Sequence, residues 1–402
     1  MNILKLSLAN LRFQRLSSFF NVLILSLGIA TIITLLNLSQ QLEQRFSSDL
    51  RGIDLVVGAK GSPIQLILSS VFHLDIPNGN IPLAEAEKLE KNPLIKSAIP
   101  LALGDNFNGF RIVGTTTAYI DHYNATLATG TLYNAPMEAV LGSEVARKTG
   151  LKPGDTFVGA HGLVNSDDLH SNFPYKITGI LAPTGTVLDR LVLTPVESVW
   201  RVHEHPDADD TDEIEEMKSN PGRKITALLI AYKTPMAAVA LPRAINETSS
   251  MQSASPAFET ARLIKMLGVG SDTIRLFGAL LMAIAALGFF TTLYNAVNDR
   301  TYDIALMRTL GATRRKIFAL VLTEGMLLGG FGALLGLALG HLFGFCAATW
   351  IEQTRHMVLS PIGFQAEEIY AVLIALAISA IAAIIPAIMA YRINVATVLS
   401  KG

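Results

Sequence analysis

"YDIALMRTLGATRRKIF" (302–318) sits between two long apolar runs. A chain that leaves one such run, spells a short stretch carrying Arg308, Arg314, Arg315 and Lys316, and at once enters another is crossing a membrane and turning on one side of it. The composition agrees. Of 402 residues half are hydrophobic and 16% are charged, where a soluble chain carries roughly a quarter. The deficit is uneven, as expected of spans joined to a water-facing part. A net charge of -1 gives no argument for nucleic acid as a partner. The single cysteine, Cys346, lies within an apolar run and excludes a disulfide within the chain.

Four runs are long enough for a hydrocarbon core that takes roughly 20 apolar residues to cross: residues 19–38, 273–294, 317–350 and 369–391. The first resembles a signal core, but it is long and no small-x-small cleavage site precedes "LSQQLEQRF", so it is expected to stay as an anchor. Lys5, Arg12 and Arg15 precede it without an acid. Loop 295–316 is strongly basic, loop 351–368 is acidic on balance, and the 392–402 tail is basic again. Positive charge marks the cytoplasmic side, which places both termini and loop 295–316 in the cytoplasm and residues 39–272 outside. Residues 1–18 can form an amphipathic elbow helix on the bilayer, with Leu4, Leu8 and Leu11 on one side and Lys5, Arg12 and Arg15 toward water and lipid phosphate.

Segment 39–272 is domain-sized and mixed. "DLVVGA", "FRIVGTT", "YKITGIL", "RLVLTP" and "ITALLIAY" read as strands, and "LAEAEKLEKN" and "SEVARKTG" as helices, the second closed by Gly150. "PAFETARLIKML" leads toward the second span. The fold expected is an α-helical membrane protein with four transmembrane helices and a large α/β extracytoplasmic domain inserted between helices 1 and 2.

Within the third span Gly332, Gly336, Gly340 and Gly344 recur at every fourth residue, preceded at the same spacing by Gly325 and Gly329. Small residues at that interval let another helix approach closely, either within the chain or in a second copy. Pro386 is expected to kink the fourth span. Glu324, two turns into the third span and near its cytoplasmic end, is expected either to snorkel to the interface or to pair with a nearby arginine. In the opening stretch Ile304, Met307 and Leu310 fall near one face of a two-turn helix that Gly311 can terminate. Topology explains the arginines. The apolar residues suit a helix that docks into a groove on a partner.

"DIALMRTLGATRRKIFALVLTEGMLLGGFGALLG" resembles the cytoplasmic loop and third span of FtsX-like, MacB-type ABC transporter permeases, which show an acid, Ile-Ala, two residues, Arg, then Leu-Gly-Ala-x-x-x-x-Ile. "AVLGSEVARKTGLKPGDTF" is similar to part of that family's extracytoplasmic domain. The resemblance implies a permease in the inner membrane with its large domain periplasmic. It would act as a homodimer in preference to a heterodimer, with a dimer of separate ATPase subunits that hold ATP and magnesium. It also implies that Asp303, Ile304, Met307, Arg308, Leu310, Gly311, Arg314 and Arg315 form the element coupled to the ATPase. Motion transmitted to the outer domain would export or extract a hydrophobic, lipid-linked or peptide substrate, with a periplasmic or outer-membrane partner. Family members that regulate extracytoplasmic hydrolases are an alternative, although their outer domain is usually smaller.

No G-x-x-x-x-G-K-[ST] phosphate loop occurs, and no nucleophile constellation suggests an enzyme. "VHEHPDADDTDEIEEMK" (202–218) is the remaining feature: His203 and His205, if extended, share a face and could contribute to a zinc site. The spacing has no recognised signature, and a solvated acidic loop is the favoured reading. A metal-binding or sensory membrane protein is the rival class, but it leaves "IALMRTLGA" without a role.

Overall fold

The computed structural model describes residues 3–13, 15–162, 172–204, 222–355 and 365–399. The chain divides into a unit of Met1–Gln41, Leu267–Glu352 and Val358–Gly402, and a unit of Leu42–Met266 with Gln353–Met357. The described helices in chain order are α1 (Ile3–Phe13), α2 (Arg15–Asp49), α3 (Pro63–Ser70), α4 (Leu83–Glu90), α5 (Ala118–His122), α6 (Ser143–Thr149), α7 (Val196–Glu204), α8 (Ala237–Thr248), α9 (Pro256–Asp299), α10 (Thr301–Thr309), α11 (Arg314–Arg355), α12 (Ala366–Arg392) and α13 (Val395–Leu399).

In the first unit α2, α9, α11 and α12 contain segments long and apolar enough to cross a membrane. Leu25, Ile29 and Ile33, spaced by four on α2, pack with Met282, Ala285 and Phe289 of α9, Leu328 and Ala333 of α11 and Ala375 of α12. The glycines of α11 make this approach close. A methyl group on Gly332 would lie 2.6 Å from Leu25, on Gly336 2.7 Å from Ile29, and on Gly340 2.8 Å from Ile33, while Gly325 and Gly329 face Ala383 and Ser379 of α12. Five glycines of the stripe are therefore a packing face within the chain; only Gly344 meets open space. Several polar side chains in the bundle find partners within it, as a medium without water favours. Asn21 Nδ2 donates to Gly288 O at 3.1 Å and Thr292 Oγ1 at 2.7 Å. Glu368 accepts from Asn37 Nδ2 at 2.9 Å and contacts His341 Nε2 at 3.1 Å.

The second unit is built on strands β1 (Leu55–Ala59), β2 (Ile81–Pro82), β3 (Ile95–Phe107), β4 (Phe110–Thr115), β5 (Leu127–Gly130), β6 (Glu138–Leu141), β7 (Thr156–Phe157), β8 (Ala160–His161), β9 (Tyr175–Leu181), β10 (Leu191–Thr194), β11 (Lys224–Ile225), β12 (Ala227–Tyr232) and β13 (Met251–Ala254). The main sheet runs β13-β1-β12-β3-β4-β10-β6-β9-β5, with β7 on β9 and β8 on β3; β11 and β2 pair separately. It is mixed, with parallel pairs β4–β10 and β6–β9. Both faces are buried. Val56, Ala227, Leu229, Val113, Leu191, Leu193 and Val140 join the core on one side with α3, α5 and Phe46. Their alternating neighbours Leu55, Val57, Leu228 and Ile230 pack with α4, α7 and α8. Ile112, Val192, Ala139 and Leu141 pack around Val145 of α6. Two covered faces explain why these strands read as continuous apolar runs and not as alternating ones.

The five strands and two helices expected from sequence are present, and Gly150 closes α6 with a left-handed φ of 73°. Asp189 and Arg190, adjacent in sequence, have separate partners. Asp189 accepts from the Thr184 and Gly185 amides, both at 2.8 Å, while Arg190 lies 3.7 Å from Asp49 and donates to Phe72 O at 2.8 Å. Arg45 Nη1 donates to Gly185 O at 2.7 Å, so the end of α2 is held at several points within this unit.

Two outcomes follow. Gly336→Leu should destabilise the helical unit by about 1–3 kcal/mol through overpacking, whereas Gly344→Leu should leave thermal unfolding of the detergent-solubilised chain unchanged. His73 is buried, its Nε2 3.2 Å from the Tyr119 hydroxyl, and burial, then Arg111 and Arg190, hold its pKa well below the usual 6.5. The unfolded chain takes up this proton below pH 6.5 and the folded chain does not, so the contribution is present above pH 6.5 and lost as pH falls. The stability difference between wild type and His73→Gln should shift against the wild type by about 1.4 kcal/mol per pH unit below 6.5, as read by denaturant titration.

Candidate coupling site

The site is the turn between α9 and α11, within the helical unit. Arg300 separates α9 from α10 with φ -103° and ψ 17°, a break after which Asp303 lies in the first turn of α10, where an acid favours the helix dipole. At the far end the Leu310 amide donates to Leu306 O at 3.1 Å and the Ala312 amide to Met307 O at 2.9 Å. Gly311, at φ 97°, supplies the left-handed residue that ends the helix. The Lys316 amide then donates to Thr313 Oγ1 at 3.3 Å, opening α11.

The faces of α10 differ from the sequence expectation. Ile304 is 4% exposed and Ala305 0%. Ile304 joins a cluster with Val297, Ile317, Val321, Ala387 and Ala390, and Met307 packs against it. These residues fasten α10 to its own bundle, which corrects the reading of Ile304 and Met307 as an outward face. The outward apolar face is Tyr302, Leu306 and Leu310, at 54%, 45% and 80% exposure and at i, i+4, i+8 spacing. Leu310 alone of the expected apolar trio is on it. Arg308 reaches back to donate through Nη1 to the Ile393 carbonyl, and α10 packs on α13. Arg314 stacks over Tyr391 at 5.8 Å from the ring centroid, and Arg315 is exposed. Sequence reasoning passed over Tyr302 and Leu306, whose spacing with Leu310 is the signal that marks them.

Beneath the turn lies Glu324, 4% exposed. Asn10 Nδ2 donates to Glu324 Oε1, and Arg300 Nη1 lies 3.8 Å from the same oxygen. Arg300 Nη2 also donates to Asn10 O at 3.1 Å. The carboxylate thus gathers α1, the start of α10 and α11 at one point. A cleft of about 470 Å³ opens beside it, lined among others by Leu6, Asn10, Asp303, Met307 and Val321. Ser7 Oγ donates to Leu320 O at 3.4 Å, so α1 is tied to the bundle through Ser7 and Asn10, while Leu4 is exposed.

The histidine segment gives a different picture. His203 lies in helix α7, not in an extended segment, with Nε2 3.2 Å from Oδ1 of the buried Asp105. His205 and the acidic run after it fall outside the described residues. Among the described residues no group of three or more His, Cys, Asp or Glu is placed to hold a metal ion.

Comparison with known proteins bears on the whole chain. The family model for the MacB-like periplasmic core domain matches residues 18–245, and that for the FtsX-like permease C-terminal matches residues 275–395. The pyoverdine export ATP-binding/permease protein PvdT of Pseudomonas putida is 21% identical over 361 residues, 82% of this chain and 50% of its own length. The macrolide export ATP-binding/permease protein MacB of Nitrobacter winogradskyi is 26% identical over 256 residues, 60% of this chain and 37% of its own length. The chain therefore spans half the length, or less, of these curated relatives. The crystal structure of the periplasmic region of MacB from Actinobacillus actinomycetemcomitans aligns at 12% identity and a TM-score of 0.33, over 53% of this chain and 95% of that one. With a MacB-like core domain followed by an FtsX-like permease region, and, among the described residues, four span-length helices with a mixed α/β unit between the first two, the chain belongs to the FtsX-like, MacB-type family of ABC transporter permeases.

Proposed function

We propose that this chain is a permease subunit that transmits the motion of an ABC ATPase, carried on a separate chain and holding ATP and magnesium, to its extracytoplasmic domain. The observation that carries the reading is the two-sided α10. One side is buried in its own bundle through Ile304 and Ala305, and the other presents Tyr302, Leu306 and Leu310 to solvent. A short helix fixed on one side and apolar on the other is suited to a groove on a partner. Its rigid seating lets force applied at Leu310 reach the spans. Positive charge at Arg308, Arg314, Arg315 and Lys316 supports a cytoplasmic position for α10, which puts both termini in the cytoplasm and the α/β unit outside the inner membrane.

The spans favour transmission of force over a polar path. Glu324, Glu368, Asn21 and Asn37 each have partners inside the bundle. Helices α2 and α9 are unbroken over Arg15–Asp49 and Pro256–Asp299, each joining a span to sequence of the α/β unit. The substrate is a hydrophobic, lipid-linked or peptide molecule exported or extracted at the outer face, a reading supported by relatives whose names describe export. Two copies of the chain with two ATPase subunits form the working assembly.

A mild-detergent pull-down of the tagged chain tests this. Leu306→Glu with Leu310→Asp should leave insertion intact and lower recovered ATPase activity about tenfold or more, as expected for loss of apolar anchors at an interface. Ile304→Glu should instead disrupt the bundle. Undiminished ATPase recovery and turnover in the double variant would remove α10 from the coupling role.

A further inference from the structure

A second feature of the helical unit lies apart from the coupling turn. A groove of about 670 Å³ runs between residues 8–22 and α11, with Leu8, Leu11, Val22, Leu328, Phe331 and Leu335 among its lining. Arg12, Arg15, Ser18 and Phe19 complete it, and no acidic residue lines it. The polar groups are not scattered along its length. Gly332 meets Leu25, Gly336 meets Ile29 and Gly340 meets Ile33, so α2 and α11 run parallel. In that register Arg12, Arg15 and Ser18 are at one end, and Phe331 and Leu335 are toward the other. Along α2 the 1.5 Å helical rise puts Arg15 about 20 Å and Ser18 about 15 Å from the level of Leu335, comparable to one leaflet of a core about 30 Å thick.

The polar end carries unused capacity. Arg15 Nε donates to Arg12 O at 2.9 Å, which orients its guanidinium, and both arginines are exposed with no ion pair among the described residues. Ser18 is 9% exposed, and its hydroxyl has no hydrogen-bond partner among the described residues. A buried hydroxyl left unpaired is costly, and a rotamer change at Ser18 toward the groove would let it donate to an acceptor oxygen there. Two cations and an orphaned donor at one end of an apolar trough match a single amphiphile: an anionic headgroup with an acyl chain.

We propose that this groove is a binding site for an anionic phospholipid of the membrane leaflet nearest α1. The phosphate is held by Arg12, Arg15 and the Ser18 hydroxyl, and one acyl chain lies along Leu328, Phe331 and Leu335. The site goes beyond the transport reading and does not depend on it, since it needs only that the chain spans a bilayer.

Native mass spectrometry of the full chain, extracted from vesicles of equal phosphatidylglycerol and phosphatidylcholine, tests the site. The wild type should retain phosphatidylglycerol about tenfold over phosphatidylcholine. Arg12→Gln with Arg15→Gln should abolish the preference, and Ser18→Ala should reduce it about threefold. Arg12→Lys with Arg15→Lys, which keeps the charge, should retain most of it. Equal retention of the two lipids by the wild type, or a preference unchanged in the Gln pair, would overturn the proposal. In a Cys346→Ser background, efficient crosslinking of Leu335→Cys between two copies would also overturn it, by showing that a second chain covers the groove.

Discussion

The structure of the helical unit depends on how one buried carboxylate is accommodated. Glu324 is enclosed on α11 among apolar neighbours, where an unpaired charge would be prohibitive. Its partners come from elsewhere: Asn10 from α1, and Arg300 from the break between α9 and α10. Satisfying Glu324 therefore brings three distant pieces of chain together and fixes where α9 stops. Once Arg300 is held, Ile304 is carried into the cluster of Val297, Ile317, Val321, Ala387 and Ala390, and Ala305 is buried. The outward face of α10 is what remains. A helix of nine residues has little stability of its own, so its orientation comes from this anchoring.

The rest of the bundle obeys the same economy of polar groups by other means. Where α11 carries no charge it carries glycine, and the ridge of Leu25, Ile29 and Ile33 sits directly against its backbone. Close approach of backbones replaces the hydrophobic drive that is missing between helices in lipid. In the α/β unit the drive is present, and the sheet uses it on both faces with a strict two-residue alternation between opposite cores. The two units thus solve packing differently, and each solution suits its solvent.

Much of this was legible in the sequence. Span number, the inserted domain and the short helix follow from run length and charge placement, which depend on local composition alone. The face of α10 did not follow. "YDIALMRTL" carries apolar residues at 304, 305, 306, 307 and 310, enough to draw two apolar stripes, and only the neighbouring bundle determines which one is covered. Pairing with an arginine was one of two sequence readings for Glu324, beside snorkelling, and Arg300 and Asn10 are identified only by tertiary folding. Strand β3 was missed for a clear reason. It contains Pro100, opposite Leu228 in the ladder with β12, although proline is rare inside a central strand. Thr115 Oγ1 donates to the Pro100 carbonyl at 2.8 Å and reinforces the strand there.

The central claim is that α10 meets its partner through Tyr302, Leu306 and Leu310 while Ile304 stays inward. Site-specific photo-crosslinking in intact cells tests this most directly, with a photoreactive residue placed singly at 302, 304, 306 and 310. The account predicts that positions 302, 306 and 310 capture a protein containing a phosphate loop, and that position 304 yields only crosslinks within the chain. Capture of that ATPase from position 304, with none from 306 or 310, would contradict it.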